Sequence, residues 1–482
     1  MIFPVRVLAA PLVARCRSER NIARLACACL LLLPFPTVVL CQPCSLDLNF
    51  NPDLNPGAAV YAVLLQPDGH ILIGGSFSSI DEVPRANVAR LNKNGTLDES
   101  FDPGTVADIG YVSALALQPD GKIVIGGSFS SSLGVVSGNL TRLNTNGTQD
   151  ATFKRTLGVD GPVNAIIVQP DGKILFGGGF GVVDTVLRRS IARVDATGNL
   201  DAHFDACVAS SAGSGATGLA LLSDGKMLAS GLFTFSTGLY RYGIARLGEC
   251  GDLDPGYAFA QPGLNSGSTA YTFALRGDGS VLLGGNFNVY RTTPRSGIVQ
   301  LNDKGSVDLK FDPGAGIESG ATVYTIALQS DGKALLGGDF SSYDGHTRQG
   351  VARVDTAGRL DMVCDAGEGP NNSVSSFAIQ PDGKILVAGK FTYFDGQPRN
   401  GLARLNADPR LEPPTRLPNG QVQLIFHGTA DTHYTLQASS NLTDWASVLI
   451  DFIATDAPMP LLDPSLNAFS SRFYRTVSLP PD

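Results

Sequence analysis

The sequence predicts an all-β protein: a seven-bladed β-propeller closed by an N-terminal strand and followed by a small β-sandwich-like module. Three observations predict it. A unit of 51 to 54 residues recurs seven times, each unit carries two glycine-centred hairpin turns, and the first stretch after an apolar leader is the tail of a unit whose head is missing. A short four-stranded unit cannot bury its own faces, so the copies must stack and close into a ring.

Residues 1–41 come first. Arg6, Arg15, Arg17, Arg20 and Arg24 precede the apolar run Leu25 to Leu40, the order of a signal peptide with a long basic leader. The run is interrupted by Pro34 and Pro36 and falls short of the roughly 20 residues of a stable span, so export with no membrane span after cleavage is expected. The formal net charge is −8, and it grows more negative once those arginines are removed. Such a chain is a poor partner for nucleic acid.

The ring is expected over residues 45–406. Asp-Gly recurs at Asp68, Asp120, Asp171, Asp224, Asp278, Asp331 and Asp382, and nine residues after each Asp comes Phe77, Phe129, Phe180, Phe233, Phe287, Phe340 or Phe391. Two residues before each Phe stands a glycine, from Gly75 in the first unit to Gly389 in the last. In the first unit VYAVLLQ and HILIGG flank Pro67-Asp68-Gly69, where proline suits a type I turn and Gly69 supplies positive φ. A second hairpin joins NVARLN to TLDESF through Lys93-Asn94-Gly95. Pairing about that loop sets Arg90 opposite Asp98, a structural ion pair. The same pairing recurs in the next five units, with Gln300 in place of Arg in the fifth.

The seventh unit breaks off at Asp408-Pro409 without its outer strand, and SLDLNFNP at residues 45–52 supplies one. This places Asp47 opposite Arg404. Residues 411–482, set off by Pro409, Pro413 and Pro414, read as short strands of a β-sandwich-like domain, with Trp445 and Phe473 expected in its core.

The run LQPDGKIVIGGSF, followed by the pattern ARLNxxGxLDxxFDPG, resembles the bacterial delta-60 repeat over residues 45–406. The resemblance implies a secreted or cell-surface β-propeller and brings no active site with it. SSNLTDW and RFYR resemble the C-terminal modules of exported proteins of environmental bacteria.

No catalytic group, metal site or cofactor is expected. The five histidines fall on separate repeats or modules, no nucleophile elbow is present, and the Asp of each PDG turn lacks the alternating oxygen ligands of a calcium loop. Among the cysteines, Cys364 occupies a Phe position and is expected to be buried, Cys207 and Cys250 are not expected to meet, and only Cys41 and Cys44 could pair locally.

The stretch between the last Asp of one unit and the next PDG turn varies between 21 and 24 residues, which marks one face of the ring as variable. On that face the loops VPRAN, TTPRSG, HTRQG and QPRNG bring Arg85, Arg188, Arg241, Arg295, Arg348 and Arg399, with Ser137 in the second unit. These six arginines are the candidate ligand-binding residues, since a planar guanidinium offers paired donors to carboxylate or sulfate. The expected function is an exported, non-enzymatic binding or scaffold protein, monomeric, whose partner is an acidic polysaccharide or a protein. The alternative is an extracellular polysaccharide lyase or hydrolase on the same scaffold.

Overall fold

The computed structural model describes residues 43–130, 138–153, 158–235, 240–257, 263–265, 267–411, 414–418, 421–428, 433–441, 443–455, 458–463 and 472–478. At 209–214, 233–234, 240–242, 410, 450 and 477–478 only the backbone is described. The leader, with Cys41, and Ser137 lie outside the described residues. No α-helix occurs among them, and no helix is long and apolar enough to cross a membrane.

Seven antiparallel sheets follow one another, and their first strands are Ala59–Leu65, Ile109–Leu117, Val163–Val168, Val208–Leu221, Ala270–Leu275, Thr322–Leu328 and Val374–Ile379. Each first strand packs against those of the preceding and following blades, and the first strand of blade 7 packs against that of blade 1. The ring is therefore continuous. In blade 1 the first strand pairs with Ile71–Ser76, and that strand pairs with Val88–Leu91.

The PDG turns form as their residues require. Gly69 adopts φ +90° and donates its N–H to the Gln66 carbonyl, while Gln66 N–H bonds the His70 carbonyl. The Asp68 carboxylate accepts the amide of His70, two residues on, and the Asp of every other PDG turn does the same. This is an Asx turn repeated seven times, and it occupies these carboxylates with turn geometry.

The second glycine of each GG doublet answers to a different demand. A Cβ on Gly75 would lie 2.1 Å from the Ala59 carbonyl oxygen, and one on Gly338 would lie 2.0 Å from that of Thr322. The first glycine sets the spacing between blades: a Cβ on Gly74 would meet Val112 of blade 2 at 2.8 Å. Buried Val, Ile, Leu and Phe fill the spaces between blades in successive clusters.

The expectation of four full strands per blade needs correction. The fourth strand is reduced to a single bridge in each blade, such as Leu91 with Leu97 and Val354 with Leu360. The cause is the Asp that follows. Asp98 accepts the amide of Ser100 on its side chain and that of Phe101 on its carbonyl, so the chain turns before a second pair can form. Among the described residues, the loop between second and third strands also holds a hairpin of two-residue strands in five blades, for example Ser79–Ile80 with Val83–Pro84.

At blade 7 the bridge joins Leu46 to Leu405. Cys44 N–H bonds the Asn406 carbonyl, and Asn406 N–H bonds that of Ser45. These are the hydrogen bonds that Gly95 and Asn92 make around the intact loop of blade 1, so the junction is that hairpin with its chain cut. Cys44 stands where blade 1 has Gly95 and shares its left-handed backbone, φ +66°.

Cys44 is disulfide-bonded to Cys364, 320 residues away, in place of the local pairing with Cys41 that the sequence allowed. Phe50 of blade 7 packs under Gly95 of blade 1, and Phe311 of blade 5 under Gly358 of blade 6. At the junction of blades 6 and 7 the Phe position is Cys364 and the Gly position is Cys44, and a covalent bond replaces the contact. Cys207 and Cys250 are both free and exposed.

The C-terminal residues form two sheets. One contains Arg410–Leu411, Thr415–Arg416, Val422–His427 and Met459–Asp463; the other contains His433–Ser439, Ala446–Ile453 and Phe473–Ser478. Leu424, Phe426, Tyr434, Leu436 and Leu461 form their shared core. Phe473 is exposed and Trp445 half-buried beneath Arg475, at 4.2 Å, contrary to the expectation that both are core. Period-two alternation turns Tyr474 inward instead, where its hydroxyl donates to the fully buried Asp463.

Candidate site at the channel mouth

The Arg–Asp pairs serve the ring itself. Arg90 Nε donates to Asp98 at 2.6 Å, and the pairs Arg142–Asp150, Arg193–Asp201, Arg246–Asp254, Arg353–Asp361 and Arg404–Asp47 repeat the contact. Gln300 donates to Asp308 in blade 5. Lysines following the PDG turn join five of these carboxylates. Burial works against each charge, but Arg, Lys and hydroxyl or backbone donors outweigh it and hold Asp47, Asp98, Asp150, Asp201, Asp254 and Asp361 below the usual carboxylate range.

The remaining end of each guanidinium reaches the next blade. Arg90 Nη1 donates to the Thr145 carbonyl, Arg142 to Ala196, Arg193 to Glu249, Arg246 to Asp303, and Arg404 to Lys93 of blade 1. Blade 7 lacks the loop that Arg353 would reach, and the Asp408 carboxylate takes its place at 2.6 Å. Ring contacts therefore extend from Pro43, whose carbonyl accepts Asp365 N–H, to Asp408, slightly beyond 45–406. In blade 5, where Gln300 is too short, Arg276 crosses to the Gly332 carbonyl instead.

The five candidate arginines whose side chains are described bond within their own loops and to outer segments of their blades. Arg188 Nε donates to the Phe204 carbonyl, Arg295 to that of Phe311, and Arg399 to that of Leu48, all on the outer segment of the same blade. Arg85, Arg188, Arg295, Arg348 and Arg399 also bond the carbonyl of the residue preceding them. These donors fasten each loop to its blade, and Arg85 and Arg399 are buried. The Arg241 side chain lies outside the described residues.

A feature absent from the sequence reading lies at the inner strands. Every first strand carries a β-bulge at the same level, leaving Tyr61, Ser113, Asn164, Thr217, Tyr271, Tyr324 and Ser375 as the extra residues. The doubled backbone explains why the second glycine is obligatory opposite it. This belt lies toward the variable face, where the second strands end. No signal but the glycine two residues before each Phe pointed to it.

The belt is not uniform. On blades 2, 3 and 4 each bulge side chain seals the seam to the next blade: Ser113 donates to the Val163 carbonyl, Asn164 to Ala216 and Thr217 to Ala270. Of the four seams over the rest of the circle, two are aromatic. Tyr271 meets Tyr324 edge-to-face at 5.2 Å, and Tyr61 meets Tyr111 at 5.6 Å. Between these pairs blade 7 offers only Ser375. The exposed Lys390 ammonium stands 5.9 Å from the Tyr61 ring, and exposed Asp339 occupies the equivalent position on blade 6. Burial, and the hydroxyl of Tyr111, push the Tyr61 phenol up; burial first, then Tyr271 and Asp339 against the bond from Thr322, do so for Tyr324. Both stay protonated and keep their O–H donors at neutral pH.

Cavities of 730 Å³ between blades 7 and 1, and of 620 Å³ between blades 3 and 4, open beside the PDG turns. The first is lined by Lys384 and Arg404, both already bonded to Asp47, and so shows the interblade staple from outside. Among the described residues no group of three or more His, Cys, Asp or Glu is placed to hold a metal ion.

A family model described as "Domain of unknown function (DUF5122) beta-propeller" matches residues 66–101, 118–153, 169–204, 222–257, 276–311, 329–362 and 380–408, together half of the chain. No curated protein matches. Among solved structures, the chain is similar to the extracellular domain of a hybrid two-component system of B. thetaiotaomicron, with 11% identity, a TM-score of 0.46, and coverage of 79% of this chain and 46% of that one. It is also similar to virginiamycin B lyase from Staphylococcus aureus, solved in an inactive form with quinupristin, with 13% identity, a TM-score of 0.45, and coverage of 74% and 98%. A gluconolactonase from Xanthomonas campestris is 12% identical, with a TM-score of 0.36 and coverage of 62% and 96%. The chain thus spans about half the length of the first of these.

Proposed function

The chain belongs to the DUF5122 β-propeller family, and on that premise we propose that it is an exported, non-enzymatic binding or scaffold protein whose partner, an extracellular polymer or a protein, is met at the channel mouth. One observation carries this reading. Residues that recur in every blade are committed to turns, bulges and staples, whereas the mouth breaks the seven-fold repetition with Tyr61, Tyr111, Tyr271, Tyr324, Asp339 and Lys390. A side chain that the ring does not need in every blade is available for recognition.

Export is supported by the basic, apolar leader and by the Cys44–Cys364 disulfide, which suits an oxidising compartment. The delta-60 likeness of the repeat motif agrees with a secreted or surface location. The candidate arginines enter as loop anchors, so an acidic polysaccharide would have to compete with carbonyl bonds already made.

The test expresses the full chain in a bacterial host and follows its compartment and its binding to immobilised polysaccharides and extracellular protein extracts. Recovery from the periplasm or medium with binding to one of these is expected. Retention in the cytosol with Cys44 reduced would overturn the export, and release of oligosaccharide products would replace binding with catalysis.

A further inference from the structure

We propose that the arc of the mouth over blades 5, 6, 7, 1 and 2 is a subsite for neutral pyranose units of an extracellular polysaccharide. The inference rests on the binding reading above and names its ligand.

The arc has two aromatic walls and a gap. Tyr271 with Tyr324 forms one wall, Tyr61 with Tyr111 the other, and the bulge position between them, on blade 7, is the small Ser375. All four rings are half-buried, each held by its edge-to-face neighbour, so little side-chain freedom remains to be lost on binding. Their hydroxyls, that of Ser375, and the Asp339 and Lys390 groups supply donors and acceptors around the gap. A pyranose has an apolar C–H face for an aromatic ring and an equator of hydroxyls for such groups.

Charge selects among polymers. Lys390 and Asp339 are of opposite sign, so neither charge prevails beside the rings, while the whole chain carries −8. A polyanion approaching the chain meets long-range repulsion. A peptide would seek pockets for aliphatic side chains, whereas the groups gathered here are half-buried phenol rings and polar atoms.

The opposite arc serves as an internal control. Ser113, Asn164 and Thr217 spend their donors on carbonyls of the next blade, so blades 2 to 5 present a seam already satisfied. Binding is confined to one side of the mouth.

Isothermal titration of the purified full chain with galactomannan, dextran and polygalacturonate decides the matter. Binding to at least one of the two neutral polymers is expected, with little dependence on salt. Tyr61→Ala combined with Tyr324→Ala should weaken it about tenfold or more, while the corresponding Phe pair retains it. If the alanine pair fails to fold, Ser375→Tyr, which fills the gap without opening a cavity, should abolish binding at an unchanged melting temperature. Neutral-polymer binding that survives both Ser375→Tyr and a folded alanine pair overturns the placement alone. Binding of polygalacturonate only, lost with salt, overturns the neutral ligand but leaves a binding protein. Binding to no polymer overturns the proposal and leaves a protein partner as the remaining form of the broader reading.

Discussion

Asp47 and Arg404 meet at 2.8 Å although 357 residues separate them, and both are buried. The pair lies inside blade 7, and its guanidinium continues to the Lys93 carbonyl of blade 1. One arginine therefore fastens the ring's two ends to each other and the last blade to the first.

Removing Asp47 leaves a buried guanidinium without its anion, so Asp47→Ala should cost about 3–5 kcal/mol of stability. Asp308→Ala, whose partner is the neutral Gln300, should cost only about 1 kcal/mol. Urea unfolding of the two variants checks the contrast, and equal losses would show that closure has no special standing.

The Cys44–Cys364 bond should add about 2–4 kcal/mol. Cys364→Ser and the reduced parent should melt at the same lowered temperature. A reduced protein that melts like the oxidised one would show that the ends are held well enough without the bond.

Acid should open the ring. The six lowered carboxylates have folded pKa values beneath their unfolded ones, near 3.9, so their stabilisation is complete above about pH 4 and is lost as pH falls through the lower folded values. Stability measured from pH 7 downward should hold a plateau to about pH 4 and then fall. The fall should be shallower in Asp47→Asn. Stability rising on acidification below pH 4 contradicts the network.

Deleting the residues after Asp408 should leave the ring's melting temperature nearly unchanged, because the C-terminal sheets have their own core. Cutting two residues earlier removes the Asp408 carboxylate from Arg353, which is 1% exposed, and should lower it by several degrees. Thermal melts of the two truncations distinguish a domain boundary at 408 from one at 406.

Gly338→Ala sets a methyl 2.0 Å from a backbone oxygen that the bulge holds in place. A loss of more than about 3 kcal/mol, or failure to fold, is expected. A variant as stable as the parent would mean that the bulge can be ironed out.

How far the sequence could be read follows from what each feature needs. Arg90 faces Asp98 because a three-residue turn of known geometry fixes the register between them, and seven copies of one spacing make the ring apparent. The disulfide depends on which outer segments become neighbours. Aligning Cys44 with Gly95, and Cys364 with the phenylalanines, would have exposed it, since those positions touch at two other junctions. The bulge adds one residue to a strand preceded by a loop of variable length, so the spacing absorbs it silently. The arginine loops misled for a related reason: position in sequence places a side chain on a face, but its bonds to Phe204, Phe311 and Leu48 depend on an outer segment that turns back after one bridge.

The cut hairpin at blade 7 also decides how the molecule carries load. Tension applied between Cys44 and Asp408 pulls on two stretches lying side by side in a single blade, so the other blades are not strained in series. The disulfide diverts part of that pull into blade 6, and peeling the outer segment away must break the Asp47–Arg404 contact and the bonds around Asn406 together. A chain tethered at one end and gripped at the other would thus behave as a short clasp, with the ring riding beside the line of force.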